Sequence, residues 1–313
     1  MSVVLVTGAA GFIGTATVKH LLEQGHDVIG MDALTTYYDV SLKRANIASI
    51  QGDRFRLVEE DLLESDLTSL LSGVDCVLHL AGQPGVRGSW GEQFDLYASR
   101  NILATQRLLE AAKAVGTVQK IVYSSSSSIY GNALQHPTLE DTTPRPVSPY
   151  GVSKLAAEHL CGLYASNHGL PTTSLRYFTV YGPGQRPDMA FTRFVRAALT
   201  GGEIPLYGTG EQIRDFTFVQ DIVRANVMAL FQPTEAGAIF NVAGGSNVSM
   251  NEVLDLISDL TEQPLNIRRS DAVAGDVFRT GGSTHAIEEA LGWRPETDLE
   301  NGLRQQVAWA AAG

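Results

Sequence analysis

A tyrosine and a lysine stand four positions apart, as Tyr150 and Lys154, in the segment SPYGVSK. Proline is favoured in the first turn of a helix, so we expect a helix to begin near Pro149 and to carry both side chains on one face. A tyrosine hydroxyl ordinarily ionises near about pH 10, and it acts as a base near neutrality only when a cation stabilises the phenolate. A lysine one turn further on supplies that cation. The pair therefore predicts proton abstraction by Tyr150.

Five serines, Ser124 to Ser128, directly follow the apolar run KIVY. A serine run by itself is typical of a flexible linker. A position immediately after a buried strand also suits a reaction site. We interpret the first two serines as the end of the strand and the remaining three as candidates for contact with a substrate.

Three glycines with the spacing G-x-x-G-x-x-G, Gly8, Gly11 and Gly14, lie between an apolar strand and a predicted helix in TGAAGFIG. Glycine permits a tight turn and a close approach of the backbone, and the N-terminus of the helix favours an anion such as a pyrophosphate. The triplet alone is weak evidence, but its strand and helix make it typical of a dinucleotide site. Phe12 and Ile13, inside the motif, are assigned to the same site.

Asp32 ends the second predicted strand, where an acid would accept hydrogen bonds from the adenosine ribose. Its charge would repel a 2′-phosphate, which favours NAD over NADP. The alternative is a helix or turn cap, a position that aspartate often takes. Further residues assigned to the cofactor lie at or after the ends of later strands: Asp61, Leu62, Leu80, Ala81, Gly82 and Tyr177.

The first half of the chain alternates short apolar runs with longer helical segments. The runs are VVLVT, DVIGMD, FRLVEED, DCVLHLA, KIVYSS and TTSLRYF. Uniformly apolar runs are typical of strands that are buried on both faces of a parallel sheet. Helices are predicted over 12–24, 92–115 and 150–168. We therefore predict an α/β fold with a doubly wound parallel sheet of the Rossmann type over residues 1–178.

After about residue 178, clusters of proline and glycine such as YGPGQRP separate shorter elements. This change predicts a smaller, substrate-binding lobe over residues 179–313. The segment RDFTFVQDIVRANVMALF has the pattern of a strand and then a helix. We expect a stretch near 213–242 to return to the first domain.

The chain has 313 residues and a formal net charge of −11, without a basic patch, so nucleic acid and anionic membranes are not expected as partners. Cys76 and Cys161 lie in apolar segments and are interpreted as buried free thiols. The histidines are not paired with other ligand residues at metal-binding spacings, so no metal is predicted. The N-terminal apolar run is too short for a signal peptide or membrane anchor, so a cytoplasmic location is expected.

The glycine motif, Asp32, Asn101, the serine strand end and Y-x-x-x-K together resemble the extended short-chain dehydrogenases/reductases, in the branch of sugar-nucleotide epimerases and dehydratases. The resemblance covers nearly the whole chain. It implies that NAD is the cofactor, with Asn101 near it. It also implies that Tyr150 is the catalytic base, that Lys154 orients it and binds the nicotinamide ribose, and that Ser126 holds the reacting hydroxyl.

The position two residues before Tyr130 discriminates between reactions in this family. UDP-glucuronate decarboxylases and dTDP-glucose dehydratases typically carry an acid there, whereas this chain has Ser128. Neither loss of water nor a steered loss of CO₂ then has the acidic residue that is expected to transfer its proton. The resemblance therefore favours epimerisation at C4 through a transient 4-keto sugar.

Three stretches, YYDVSLKRANI, GQPGVRGS and RYFTVYGPGQRPDMAF, resemble UDP-glucuronate 4-epimerases, which interconvert UDP-glucuronic acid and UDP-galacturonic acid. Two positions depart from that subgroup: Gly82 replaces the usual alanine, and Gly184 replaces an arginine that many bacterial members carry. Without that arginine, other groups must hold the sugar carboxylate. The candidates are Arg87, Ser127, Ser128, Thr179 and Arg186.

Arg214 matches the arginine with which this family binds the diphosphate, because its planar donors can pair with two phosphate oxygens. The alternative is a surface ion pair with Asp215 or Asp221. The rest of the UDP end is assigned to Tyr207, Phe191, Arg193, Asp276 and Arg279.

Other functions stay open. A 4-epimerase for UDP-glucose or a UDP-N-acetylhexosamine would use the same machinery, and a UDP-glucuronate decarboxylase is a further alternative. A non-catalytic NAD-binding sensor would keep the fold, but such proteins tend to lose the tyrosine or the lysine. In the family, the two long helices pair across a two-fold axis, so a homodimer is expected.

Overall fold

The computed structural model describes residues 1–271 and 277–312. Its strands are β1 (Val3–Thr7), β2 (Asp27–Met31), β3 (Phe55–Val58), β4 (Cys76–His79), β5 (Lys120–Ser126), β6 (Thr172–Tyr177), β7 (Thr179–Tyr181), β8 (Glu203–Tyr207), β9 (Ile213–Phe218), β10 (Ala238–Val242), β11 (Ser246–Ser249) and β12 (Asn266–Ser270). Its α-helices are α1 (Phe12–Glu23), α2 (Val40–Ala48), α3 (Leu67–Leu71), α4 (Phe94–Tyr97), α5 (Ala104–Val115), α6 (Pro149–His168), α7 (Ala190–Thr200), α8 (Val219–Phe231), α9 (Met250–Thr261), α10 (His285–Leu291) and α11 (Leu299–Ala312). Within these ranges, no helix combines the length and the apolar character that a membrane crossing needs.

Seven parallel strands form the central sheet in the order β10-β6-β5-β4-β1-β2-β3. Helices α1 and α8 bury apolar side chains against one face, and α3, α5 and α6 against the other. The predicted doubly wound sheet is confirmed. The strand order reverses between β1 and β4, and ligands bind beyond the carboxyl ends of the strands at such a switch point.

Helix α6 begins at Pro149, where the proline predicted its start. Ser148 caps it: the Ser148 Oγ atom accepts a hydrogen bond of 3.1 Å from the Gly151 backbone N–H. A serine cap followed by proline in the first turn is a strong local start signal. The helix then packs on β5 and β6, which brings its Tyr150–Lys154 face to the switch point.

The predicted helix over 92–115 is interrupted. A π-helical turn, Ala98–Leu103, lies between α4 and α5. Such turns are rare and occur frequently at functional sites. Here the turn places Asn101, which is buried, against the backbone that follows β4.

The smaller lobe contains a three-stranded sheet, β11-β9-β7, and a two-stranded sheet, β12-β8. The segment near 213–242, which is expected to return to the first domain, contributes strands to two different sheets. Strand β9 pairs with β7 and β11 in the lobe, whereas α8 packs on α1 and β10 extends the large sheet beside β6.

Candidate active site

The residues assigned to the cofactor surround one cleft at the carboxyl ends of β1, β2 and β4. The lining includes Gly8, Gly11, Phe12, Ile13, Gly14, Asp32, Leu80, Ala81, Gly82, Asn101, Tyr150, Lys154 and Tyr177. Asp61 and Leu62 line an adjoining depression that shares Asp32, Ala81 and Gly82 with the cleft. The fold thus brings these residues together from seven separate segments of chain.

The glycine turn is built for a close approach. Gly8 has a φ of +72°, and its N–H donates to the carbonyl of Met31 at 2.7 Å. A Cβ atom on Gly14 would lie 2.1 Å from the Gly8 carbonyl oxygen. Gly11, the N-cap of helix α1, makes no side-chain cap, so the first-turn N–H groups lack a side-chain acceptor, and Gly11, Phe12, Ile13 and Gly14 line the cleft. This donor set fits the diphosphate of a dinucleotide.

Asp32 is buried at the ribose end of the cleft. Its carboxylate accepts hydrogen bonds from the backbone N–H groups of Ala10 at 3.1 Å and Leu34 at 2.8 Å. The buried Lys43 ammonium lies 3.7 Å from the same carboxylate and also donates to Thr35. Lys43 belongs to the stretch YYDVSLKRANI, but nothing in its local pattern indicated that it would turn inward. The ribose end therefore has both an acid and a cation.

We expect Asp32→Asn to weaken NAD binding about tenfold, because hydrogen bonds to an ionised acceptor contribute about 1.5–3 kcal/mol. Binding of NADP should strengthen at the same time, since the repelling charge is gone and the Lys43 cation remains. Isothermal titration of cofactor-stripped protein with NAD and with NADP measures both constants. Adding Lys43→Met should remove the gain for NADP. An unchanged ratio of the two constants in Asp32→Asn would contradict this role.

Asn101 lies at the cleft, but its amide is committed to the protein. Both amide hydrogens are used, one by the Gln83 carbonyl at 3.0 Å and one by Ser153 Oγ at 2.9 Å, and its oxygen accepts from the Gln83 N–H at 2.6 Å. A Cβ atom on Gly82 would lie 2.8 Å from that oxygen, so glycine suits this position. The arrangement makes Asn101 a brace for the cleft wall, and because Asn101 also lines the cleft, its contact with the cofactor stays a prediction.

A hydrogen-bonded chain through His79 supports the same wall. Thr105 donates its hydroxyl to the Asn101 carbonyl at 2.6 Å, so it must accept from His79 Nε2, which lies 3.0 Å away. His79 Nδ1 is then an acceptor for the Thr7 hydroxyl at 2.8 Å, and Thr7 accepts from the Ala81 N–H at 3.1 Å. Burial lowers the pKa of His79 to about 3, with a further contribution from the charge of Lys154. The imidazole is therefore neutral, and one tautomer satisfies every bond.

Tyr150 is half-buried in the wall of the cleft, with its ring edge-on to Tyr97 at 6.3 Å between centroids. Burial raises the pKa of the Tyr150 hydroxyl, while a side-chain hydrogen bond with Ser126 and the positive charge of Arg186 act to lower it. The predicted hydroxyl-binding serine and the cation Arg186 thus both influence the ionisation of the predicted base.

Lys154 is buried, and its Nζ atom lies 4.5 Å from the centroid of the Tyr123 ring. Burial lowers the pKa of Lys154 to about 8, against the raising influence of Cys161 and Glu158. The ammonium form is favoured by the face of an aromatic ring and by a nearby carboxylate. Lys154 therefore stays largely charged at neutral pH.

The serine run ends β5 and continues into a 3₁₀ turn, Ser127–Ile129. Ser124 and Ser125 line the floor of the cleft. Ser126 caps the turn, because its Oγ atom accepts from the Ser128 N–H at 3.1 Å. Ser127 and Ser128 are half-buried. The turn presents hydroxyl groups and no carboxylate beside Tyr150.

Arg186 reaches the cleft from the loop after β7. Its Nε and Nη2 atoms each donate to the Asp188 carboxylate at 2.9 Å, and Asp188 also accepts a long hydrogen bond of 3.4 Å from Tyr37. Two residues earlier, Gly184 has a φ of +82°, a conformation that arginine would adopt only with strain. The loop therefore carries its cation at 186 and a glycine at 184.

The side chains of two residues assigned to the UDP end do not line the cleft. Phe191 is 1% exposed and packs on Phe216 at 4.5 Å between centroids, as part of the lobe core, so its ring cannot line an open pocket. Arg193 is exposed in a separate depression beside Arg196 and Glu203, because that turn of α7 faces away from the cleft. Both residues lie on α7, and the sequence pattern did not indicate which face of this helix would be buried.

The other UDP-end residues lie on the lobe or reach it. The Arg87 guanidinium, from the wall after β4, stacks 4.1 Å from the ring centroid of Tyr207 at the end of β8. Arg214 donates to the carbonyls of Ile213 and Phe278, and the backbone of Arg279 bridges to Ile213, which brings the two arginines to one edge. Thr179 is half-buried at the start of β7. Asp276 lies outside the described residues.

Two further expectations concern the cysteines and a metal site. Cys76 and Cys161 are buried free thiols, as expected. In the described part of the chain, the side chains of His, Cys, Asp and Glu form no group of three that could hold a metal ion.

Comparisons with known proteins show the family to which the whole chain is similar. The family model of the NAD-dependent epimerase/dehydratase family matches residues 4–243. The chain is 41% identical to the uncharacterized UDP-glucose epimerase YtcB of Bacillus subtilis over 99% of this chain and 98% of that protein. The structure superposes with a TM-score of 0.96 on the UDP-glucuronic acid 4-epimerase of Bacillus cereus in complex with UDP-glucuronic acid and NAD, at 38% identity over 99% of both chains. It also superposes on MoeE5 in complex with UDP-glucuronic acid and NAD, with a TM-score of 0.90, 41% identity and 99% coverage of both chains.

Proposed function

This chain belongs to the NAD-dependent epimerase/dehydratase family, and from that premise we propose that it is a UDP-glucuronate 4-epimerase. NAD is its cofactor. The substrate is UDP-glucuronic acid, and the product is UDP-galacturonic acid. The residue roles given below and the division into a cofactor domain and a substrate lobe belong to the same proposal.

One observation carries the reaction class: Tyr150 and Lys154 lie in the same cleft as the glycine turn and Asp32, together with Ser124 and Ser125, which directly precede Ser126. A hydroxyl at sugar C4 that lies between Tyr150 and Ser126 would contact both side chains at once. Tyr150 then accepts the hydroxyl proton while Ser126 holds the same oxygen. Bound NAD supplies the acceptor for the C4 hydride and the donor that returns it to the other face. Net redox is zero, so the cofactor stays bound.

The charge of Lys154 favours the phenolate form of Tyr150 when it accepts the proton. When the hydride returns, Tyr150 gives the proton back to the 4-oxygen. Between the two steps the 4-keto sugar must turn about its diphosphate link, while the UDP end stays held by the lobe. Arg214, Arg279 and the Arg87–Tyr207 stack are the groups placed to hold it.

Two features of the site support an anionic sugar. The positive charge of Arg186, which lines the same cleft, acts to lower the pKa of Tyr150. In UDP-glucuronic acid the C6 carboxylate is attached to C5, and C5 adjoins the reacting C4. Asp188 occupies two of the guanidinium N–H groups, which leaves others for a substrate. The turn Ser126–Ser128 adds hydroxyl donors without a competing carboxylate.

Incubating the purified protein with UDP-glucuronic acid and following the products by NMR tests the proposal. We expect conversion to UDP-galacturonic acid, with UDP-glucose turned over much more slowly. Exclusive formation of UDP-xylose or a UDP-4-keto-pentose would overturn the epimerase assignment in favour of a decarboxylase. Faster turnover of UDP-glucose would favour a neutral-hexose epimerase, which is the activity in the name of the Bacillus subtilis relative. Absence of any turnover would favour a sensor.

A cytoplasmic homodimer completes the proposal. The outer surfaces of the π-helical turn and of α6 expose Leu103, Val152 and Leu163. An apolar surface of this kind on two adjacent helices is suited to pairing across a two-fold axis. Analytical ultracentrifugation of the purified protein measures the state directly.

A further inference from the structure

The turn that carries Ser126, Ser127 and Ser128 is short, and its own hydrogen bonds are few. Ser126 accepts from the Ser128 N–H at 3.1 Å, and the Tyr130 N–H donates to the Ser127 carbonyl at 3.1 Å. Each is a single local bond of modest strength. What fixes the turn relative to Tyr150 must therefore lie outside it.

A buried ion pair lies beneath the turn. Arg176, on β6, donates from Nη2 to Glu158 Oε1 at 2.7 Å and from Nε to Glu158 Oε2 at 3.0 Å. The two side chains are 4% and 2% exposed. Replacing such a pair by apolar residues is often neutral or stabilising, so the stability of the fold does not by itself account for it.

The pair contacts the residues on both sides of the turn. On the near side, the Ser125 hydroxyl donates to Glu158 Oε2 at 2.6 Å. On the far side, Arg176 Nη1 donates to the Tyr130 hydroxyl at 2.6 Å. Ser125 and Tyr130 are themselves buried. We call these four residues the serine-turn clamp.

The outer end of the clamp is anchored as well. The Tyr130 hydroxyl donates to Asn241 Oδ1 at 2.8 Å, and Arg176 Nη1 donates to the Glu140 carbonyl at 2.8 Å. The carboxylate of Glu140 in turn accepts from the Asn241 N–H at 2.8 Å. A buried polar network in which the members satisfy one another is rigid.

Glu158 also connects the turn to the catalytic helix. It lies four residues after Lys154 and eight after Tyr150 on α6, so the three side chains share one face. The turn and the base are therefore held by the same carboxylate-bearing helix and the neighbouring strand. A shift of the pair would move Ser126 relative to Tyr150.

We propose that the serine-turn clamp is a positioning device for the reaction, which holds Ser126 against Tyr150 and holds the adjoining hydroxyls in the pose that keeps the sugar carboxylate from leaving as CO₂. The inference rests on the proposed function. The 4-keto intermediate is a β-keto acid, and its decarboxylation breaks the C5–C6 bond. The electron pair enters the enolate of the ketone, and C5 is then protonated from water. That step requires the C5–C6 bond to align with the carbonyl π system, so a looser turn permits it more often.

Two variants test the clamp without breaking its ion pair. Tyr130→Phe removes the hydroxyl on one side and Ser125→Ala the hydroxyl on the other. Tyr181→Phe is the matched control: it removes an equally buried hydroxyl, which donates to the Asp298 carbonyl at 3.1 Å in the lobe. Each protein is assayed with UDP-glucuronic acid, with kcat, KM and the ratio of epimerised to decarboxylated product measured by NMR.

We expect each clamp variant to lower kcat about tenfold, with KM changed less than about twofold, because the loss falls on the reacting geometry and not on UDP binding. The decarboxylated fraction should rise at least about fivefold, whereas Tyr181→Phe should match the wild type. Hydrogen exchange of residues 126–131 in the NAD-bound protein without sugar should be faster in the clamp variants only.

The two readouts separate the clamp from the proposed function. Hydrogen exchange needs no turnover, so it tests the clamp even if the wild type fails to convert UDP-glucuronic acid. Wild-type kcat and product ratio in both variants, or unchanged exchange in both, would overturn the proposal. If one variant does not fold, the other, at the opposite end of the turn, decides.

Discussion

Replacing Tyr150 by phenylalanine is expected to lower kcat at least about 10³-fold, within the range that a positioned general base contributes. The ring stays, so its edge-on contact with Tyr97 stays, but the atom that accepts the 4-hydroxyl proton is gone. Ser126 cannot replace it, because the pKa of an aliphatic hydroxyl is far above that of a phenol. Binding of UDP-glucuronic acid should change little, since the lobe that holds the UDP end is untouched.

The rate of UDP-galacturonic acid formation by NMR and the retained NAD, read from absorbance, measure this effect. The control is Tyr164→Phe, the same chemical change fourteen residues further along α6, where the hydroxyl bonds to Glu110 and Gln106 away from the cleft. It should keep wild-type kcat. If Tyr150→Phe kept more than about a tenth of the rate, another group would have to be the base.

The largest effect on stability is expected from Glu158→Gln, which should lower the free energy of unfolding by about 3–5 kcal/mol, the usual effect of removing one partner of a buried ion pair. The glutamine leaves the Arg176 guanidinium charged and buried without a counter-ion, and it can accept from Ser125 or Arg176 only through one oxygen. Urea unfolding at a fixed, saturating concentration of NAD measures the change.

An exposed pair of the same kind provides the control. Arg44 and Glu59 form two hydrogen bonds, at 3.2 and 2.9 Å, but their side chains are 60% and 47% exposed. Glu59→Gln should change the free energy of unfolding by less than about 1 kcal/mol, because water solvates the arginine that remains. Equal effects of the two substitutions would contradict the argument from burial.

The double variant Glu158→Leu with Arg176→Met separates stability from positioning. It removes both charges, so we expect it to recover most of the stability that Glu158→Gln loses. It also removes the groups that bond to Ser125 and Tyr130. A protein that is stable but has the low kcat of the clamp variants is the expected result. A stable protein with wild-type kcat would speak against the clamp.

The glycine turn, Asp32, Tyr150, Lys154 and Ser126 could be identified from the sequence because each belongs to a short pattern with its own physical cause. Glycine spacing fits a strand-to-helix turn, and a four-residue spacing fits one face of a helix. Such patterns act over a few residues, so they can be read without the fold. The same holds for the apolar runs that predicted the parallel sheet.

Other parts of the site depend on contacts between distant segments. Lys43 meets Asp32, and Arg176 meets Glu158, only because the sheet places their elements side by side. Phe191 was assigned to a pocket, but the packing of Phe216 against it placed it in the core. The phase of α7 decided this, and a short pattern of aromatic and basic residues does not indicate which face a neighbouring element will cover.

By itself, the sequence determined the fold class, and it predicted the cofactor turn, the base with its lysine, and the hydroxyl-bearing strand end without an acid, because local backbone geometry and helical or strand periodicity control these. Only the tertiary structure decided that β9 pairs with β7 and β11 while β10 joins the large sheet, and that Arg186 lies in the same cleft as Tyr150. Only it revealed the ion pair beneath the serine turn. These features arise from strand order and from contacts between side chains of distant segments. The free energy of such contacts depends on how deeply the groups are buried, and only the folded chain buries them.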